Sequence, residues 1–513
     1  MRNSDDALHE AASIAVLLAG GSFLSLFVAG IGSLVLARLL GPEGYGTYSL
    51  VLAIPAFLMS FVDLGMSASV IRYVAKYPDR AVRYISQSFF VVALAASAIT
   101  VVGVATSSFL SRVLINRPEY SELVVIALPY LIAYSIFNIN RASLMGLGEK
   151  VRTALLEPLY NSLRVSLSIA LVVTMFVRGA ILGVVIASIV SCLISLLILL
   201  RSLSKLEFEY SFTELRELLG FSLPLYITGL IGSTTQMYTT LTLSTHFTDF
   251  EIGSYRAALN LLAVISLVIS PFSTAFLKVF SEAEVRDLEK LLIDSVNYIV
   301  LFSIPLTLFS SVTSHDIVRV VYGRRYMVTE NYFSIVVLTN MLTLAGSHVL
   351  GPALSAVNRT KYILLSNIVG TLIYIPLLYI LVRALGLYGV ALSQITLSAI
   401  ITLTQLYFLK KVVKVSLNIS YSVKVLASST APTILVAYLT RGTDFLDSLT
   451  LLIAKFTIFI AIYIALLVVL RAISENDIIK LFSLSRSLGP LSKLVDIALK
   501  YAALLVKLLQ DGE

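Results

Sequence analysis

Fourteen mostly apolar stretches recur along the chain, each about as long as the ~20 residues a helix needs to cross the hydrocarbon core of a bilayer. They cover roughly 12–37, 47–70, 85–109, 122–141, 153–177, 180–200, 219–243, 254–276, 292–313, 332–353, 361–383, 387–409, 422–440 and 450–470. The breaks between them hold nearly all the charge and many of the glycines and prolines. Barrel strands would be shorter and would alternate polar with apolar residues. Charged residues make up 13% of the 513, against about 25% in soluble domains, too few to cover a water-facing surface. Cys192 is the only cysteine, so no intrachain disulfide can form. The expected class is an all-α polytopic membrane protein with about 14 transmembrane helices. The first stretch reads as a span and not a cleaved signal, because Asp5, Asp6 and Glu10 precede it and a second span follows at once.

An even span count puts both termini on one side, and Lys and Arg choose the side. With the N-terminus inside, the inner loops carry nineteen Lys and Arg and the outer loops ten, with seven more at the two termini. The expectation is a multi-pass plasma-membrane protein with both ends cytoplasmic. Two Asn-x-Ser/Thr matches, at Asn358 and Asn418, fall in inner loops and are read as chance. Beyond Arg471, Ser474 and Asp477 have capping-box spacing, and Gly489-Pro490 breaks the segment. Lys493, Lys500 and Lys507 then recur every seven residues among Leu, Val, Ile and Ala. On a helix these lysines form one stripe, suited to lying against anionic lipid, or to a packed helix with a charged edge.

The chain resembles itself. Gly46-x-Tyr48 matches Gly253-x-Tyr255 at an offset of 207. Gly179-x-x-x-Gly183-Val184 resembles Gly386-x-x-Gly389-Val390 at 206, and Leu144…Glu149-Lys150 resembles Leu354…Arg359-Thr360-Lys361 at 210. Three ordered matches near one offset, equal to six spans, imply two parallel six-helix repeats with two helices added. The expected domains are 1–205, 206–412, the added helices 413–470 and an amphipathic cytoplasmic or interfacial tail, 471–513. Parallel repeats related by an axis along the membrane normal are a transporter architecture, with substrate between the halves and transport by alternating access.

The stretch Leu36-Ala-Arg-Leu-Leu-Gly-Pro-Glu-Gly-Tyr-Gly-Thr-Tyr48, with Asp63-Leu-Gly65 and Arg72-Tyr73, resembles the polysaccharide and lipid-linked oligosaccharide flippase branch of the MOP (multidrug/oligosaccharidyl-lipid/polysaccharide) exporter superfamily. The resemblance implies MATE-like V-shaped bundles, with a cavity between spans 1, 2, 7 and 8. It implies movement of a polyprenyl- or dolichyl-phosphate-linked saccharide to the outer leaflet, for surface polysaccharide or protein glycosylation. Glycosyltransferases or a polymerase of the same pathway would be its partners, besides membrane lipids.

Such a substrate carries phosphate, sugar hydroxyls and an apolar tail. Arginine suits the phosphate, because its planar fork binds two oxygens at once. The phosphate candidates are Arg38, Arg72, Arg256 and Arg164; for the first three the alternative is snorkelling at a helix end. Arg164 lies mid-span, and its alternative is a structural pair with Glu157 two turns earlier. Thr235, Gln236, Tyr238 and Thr239 would line the cavity for glycan, or hydrogen-bond between helices. Asp63 is the candidate for Na⁺ or H⁺ coupling, or a helix-fixing partner of Arg72. Nine residues on one helix, about 13 Å, put that partner out of reach unless the helix breaks. Lys455, outside the repeat, reads as structural.

No Walker A motif is present, the four histidines have no metal-ligand spacing, and no nucleophile sits beside a base. No cofactor, metal or catalytic residue is expected, and the chain is not expected to be an enzyme. The net charge of +8 follows the positive-inside pattern and implies no nucleic acid. Two rivals remain. An ion-coupled multidrug or organic-cation antiporter should carry acidic cavity residues. A membrane-embedded glycan polymerase or glycosyltransferase should carry a sizeable catalytic loop, and the inter-span loops reach only about 18 residues.

Overall fold

The computed structural model describes residues 4–203, 212–282, 288–413, 417–473 and 499–507. They form helices joined by short turns, with no strand among the described residues. In chain order these are α1 (Ser4–Met59), α2 (Met66–Lys76), α3 (Ala81–Ala105), α4 (Ser107–Ile115), α5 (Ser121–Ala127), α6 (Pro129–Gly146), α7 (Lys150–Ser202), α8 (Phe212–His246), α9 (Asp249–Glu282), α10 (Leu288–Val312), α11 (Ser314–Val321), α12 (Thr329–Val336), α13 (Ser347–Ala356), α14 (Thr360–Leu385), α15 (Leu387–Lys410), α16 (Ile419–Ala437) and α17 (Phe445–Val469). Helix dominates because lipid offers backbone groups no partners, and a helix satisfies its own.

Every expected apolar stretch falls largely on helix. Length and apolarity qualify nine helices of the described residues as spans, or ten if the bent pair Thr329–Ala345 and Ser347–Ala356 counts as one. That is fewer than fourteen, partly because single helical runs hold two stretches each. The α1 run is interrupted at Gly41 (φ 68°). The α7 run is interrupted at Phe176 (φ 50°, ψ −129°). There the chain doubles back, and the Ser168 hydroxyl donates to the Ala180 carbonyl at 3.0 Å. The stretch 47–70 is broken between α1 and α2, where Leu64 and Gly65 both take positive φ.

Two compact units emerge: residues 1–267 with 371–389, and 268–370 with 390–513. The sequence divisions at 205 and 412 are not the boundaries of these units. The start of the second repeat is hydrogen-bonded to the first, for example Ser69 Oγ to the Leu218 carbonyl (2.9 Å) and Tyr84 OH to Glu217 (2.6 Å). A core in the first unit gathers Val62, Met66, Tyr84, Leu131 and Phe137, all fully buried or nearly so. One in the second gathers Val300, Ile304, Leu354, Leu409 and Phe459. The helical segment 499–507 buries Leu499 and Ala502 in that second core and leaves Lys500 and Lys507 exposed. Lys493, Ser474, Asp477 and Gly489-Pro490 lie outside the described residues.

The repeat is visible as backbone geometry. The Glu149 amide donates to the Leu144 carbonyl at 3.0 Å, and Arg359 to Leu354 at 2.9 Å. Gly148 and Asn358, at the same place in each turn, both take positive φ. Ser107 and Ser314 begin short helices 207 residues apart, and each ends at a positive-φ residue nearby, Asn116 and Gly323.

Asp63 closes the break before α2. Its Oδ1 accepts from the Ser67 hydroxyl (2.5 Å) and the Ser67 amide (3.3 Å), a capping-type bond to the first turn of the new helix from two residues ahead of its N-cap Gly65. Losing a cap costs about 1 kcal/mol. Asp63→Ala should lower stability by that amount in thermal unfolding, and Asp63→Asn, which keeps an acceptor, by less. Gradient-driven transport that survives in Asp63→Asn would remove the residue from ion coupling.

Candidate functional site

The first unit assembles its polar interior from α1, α6, α7, α8 and α9. Tyr45 and Tyr48 stand one turn apart on α1, their rings stacked at 5.9 Å. The Tyr45 hydroxyl accepts from Asn260 Nδ2 on α9 at 2.6 Å. Arg164 on α7 and Arg256 on α9 both lie within electrostatic reach of that hydroxyl. The fold thus brings together two of the four expected cations around a tyrosine that sequence reading passed over.

Arg164 does not pair with Glu157. Its Nε and Nη2 donate to Asn161 Oδ1 at 3.2 and 3.1 Å. Glu157 is held instead by Arg141, at 3.4 Å, and by the Tyr134 hydroxyl, at 3.4 Å. A cavity of about 260 Å³ opens beside Arg164, with Tyr130, Tyr134, Glu157, Tyr160 and Asn161 in its wall. Arg256 donates through Nη2 to Thr240 Oγ1 at 2.9 Å. Its Nε is buried with no hydrogen-bond partner among the described residues. A buried guanidinium N–H without an acceptor is costly, and an anion would relieve it.

Arg38 and Arg72 lie on exposed faces. Arg38 precedes the Gly41 break by three residues. Arg72 stacks over the Phe221 ring, 4.2 Å from its centroid, and so ties α2 to α8. The α8 hydroxyls join helices. Thr235 meets Thr371 (3.2 Å), Thr239 meets Tyr374 (2.8 Å), and Tyr238 donates to the Ile375 carbonyl (3.2 Å), all on α14. Gln236 is exposed. No group of three or more His, Cys, Asp or Glu able to hold a metal occurs among the described residues.

The two repeat motifs of this unit meet through close backbone contact. A Cβ on Gly46 would sit 2.0 Å from the Asp249 carbonyl oxygen, and one on Gly253 would sit 1.7 Å from that of Pro42. Each glycine meets the other repeat's residue four positions earlier, the reciprocity of a local two-fold axis. Around this seam Asp249 accepts from Thr47 Oγ1 (2.8 Å), Tyr120 OH (2.5 Å) and Arg117 Nε (3.2 Å). Arg117 also caps the end of α8, donating to the Ser244 (2.7 Å) and Phe247 (2.9 Å) carbonyls. Arg117 and Asp249 are 132 residues apart, and although Asp249 stands in the second copy of the repeat turn, nothing local pairs it with Arg117, so sequence reading missed the contact.

The sequence model described as "Polysaccharide biosynthesis protein" matches residues 12–284. The chain belongs to that family. Solved structures share the family member's fold at 17% identity. One is the lipid II flippase MurJ in an inward closed conformation (TM-score 0.73, covering 87% of this chain and 98% of that one). Another is an inward-facing multidrug resistance MATE family transporter of the MOP superfamily (0.63, 75% and 94%). A third is a MOP superfamily transporter from Pyrococcus furiosus Vc1 (0.58, 78% and 95%). A search of curated protein sequences returned no match. The chain is thus a multi-pass membrane protein of the polysaccharide biosynthesis family, with a fold like those of MurJ and the MATE transporters.

Proposed function

We propose that the protein is a flippase that carries a polyprenyl- or dolichyl-phosphate-linked saccharide from the cytoplasmic to the outer leaflet of the plasma membrane. The observation that carries this reading is the sign of charge inside the first unit. Arg256 and Arg164 flank Tyr45, and neither has a carboxylate within ion-pair distance among the described residues. An exporter of organic cations would need the opposite sign. Arg256, with its buried unsatisfied Nε, is assigned to the phosphate, and Arg38 and Arg72 to its capture at the exposed faces. Gln236 is assigned to glycan. The protein works as a transporter without covalent chemistry of its own, with cytoplasmic termini, and draws on Na⁺ or H⁺ if coupled.

The test uses proteoliposomes that hold the purified protein and a fluorescent lipid-pyrophosphate oligosaccharide. Protein-dependent exposure of the glycan to a membrane-impermeant glycosidase is the expected result, repeated under Na⁺ and H⁺ gradients. Arg256→Ala should slow flipping about tenfold or more, the scale of one lost charge-assisted hydrogen bond. Gradient-driven efflux of organic cations without flipping would overturn the assignment.

A further inference from the structure

Arg164 stands at the wall between two cavities of the first unit. Beside the larger one lies a chamber of about 40 Å³, lined by Ser33, Tyr45, Tyr48, Arg164 and Ser168, with glycine and apolar residues for the rest. No carboxylate lines it. The nearest acid on the larger side, Glu157, is already paired with Arg141.

The hydrogens around the chamber can be followed one by one. The Ser33 hydroxyl donates to the Gly30 carbonyl (2.7 Å) and that of Ser168 to the Ala180 carbonyl (3.0 Å), so both are turned to backbone. Asn161 Nδ2 donates to Ser25 Oγ (2.7 Å), which fixes the amide with its oxygen on Arg164. That oxygen is neutral and leaves the guanidinium charge in place. The Tyr45 oxygen accepts from Asn260, so its own proton is left to donate. The Tyr48 hydroxyl, beside Arg164, has no acceptor of its own among the described residues. An arginine and two tyrosines whose protons are given to no acceptor among the described residues therefore line one small space, with no carboxylate in its wall. A charge at membrane depth is costly unless paired.

We infer that this chamber binds a small inorganic anion of halide size, held by Arg164 and the hydroxyls of Tyr45 and Tyr48. Its volume selects the ligand. About 10–15 Å³ suffices for one water, so 40 Å³ takes a monatomic ion and excludes a lipid-linked sugar. Arg164 lines both cavities. The inference goes beyond the proposed function and does not depend on it, because an anion site can be read without any transport.

The experiment takes the full chain in detergent and titrates chloride against gluconate at constant ionic strength. Unfolding is followed by tyrosine fluorescence, which no tryptophan obscures, since the chain has 26 Tyr and no Trp. A saturable rise of the melting temperature with chloride and with bromide, absent with gluconate, is expected. Arg164→Gln should raise the half-saturating chloride about tenfold or more, and Tyr48→Phe by less. If Arg164→Gln does not fold, Arg164→Lys, which keeps the charge, should retain a weakened response. Bromide should give an anomalous peak beside Arg164. Equal melting in chloride and gluconate, or a halide response untouched in both Arg164→Gln and Tyr48→Phe, overturns the site.

Discussion

Gly253→Val should reduce flipping about tenfold or more while the protein still inserts in the membrane. Even a Cβ at this position would lie 1.7 Å from the Pro42 carbonyl oxygen, well inside van der Waals contact, and both groups belong to packed backbone. The α1–α9 seam cannot form, and the proposed alternating-access cycle is expected to need that close contact. Gly232→Ala is the control, since nothing lies within 4 Å of its added Cβ. The single cysteine allows a direct readout. On a Cys192→Ser background, Thr47→Cys places a thiol at a position that is buried beside Asp249 in the closed seam. An impermeant maleimide should label it slowly, and much faster when Gly253→Val is added. Unchanged labelling together with full transport would show that the seam plays no part in the cycle.

The second large effect lies in the other unit. Lys455 Nζ donates to Asp316 Oδ2 at 2.6 Å, and both residues are almost wholly buried (3% and 1% exposed). Asp316 Oδ1 accepts from the Gly442 amide at 3.0 Å. Removing one partner of a buried pair leaves an uncompensated charge and costs about 3–5 kcal/mol. Lys455→Met should therefore lower thermal stability by that order. Lys455→Met with Asp316→Asn, which keeps the acceptor for Gly442 and removes the charge, should recover most of it. Equal losses in the single and double variants would mean that the pair's charge is not what matters.

Much of the architecture could be read from the residues because lipid imposes a single rule. Each spanning segment must satisfy its own backbone, so apolar length alone marks helices, and turn residues alone mark the ends. The repeat could be read for a related reason. Gly46 and Gly253 are fixed by close backbone approach, and Gly148 by a positive φ, demands that few residues meet. The contacts of the site were harder. Arg164 has Asn161 three residues away and Glu157 seven residues away on the same helical face, and periodicity cannot choose between them. The fold chose Asn161, because Arg141 from α6 had taken the acid. Asp63 and Arg72 were placed on one helix, but the break at Leu64-Gly65 gave Asp63 a local amide to cap. The α8 hydroxyls met α14, more than a hundred residues away, and no local pattern announces such a partner.

The two copies of one turn have taken different work. In the first repeat, the turn after α4 places Arg117 on Asp249. In the second, the corresponding turn after α11 places Arg324 on Asp444, in the loop between α16 and α17, and α11 itself supplies Asp316 to Lys455 and to the Gly442 amide. His315 of the same helix reaches the Gly442 carbonyl at 3.3 Å. The appended hairpin is therefore stitched into the polar centre of the second unit and is no detachable accessory. A chain cut after the second repeat would not yield a minimal twelve-helix carrier. It would leave a buried aspartate, its neighbouring histidine and an arginine-bearing turn facing a space that α17 and the loop before it had filled.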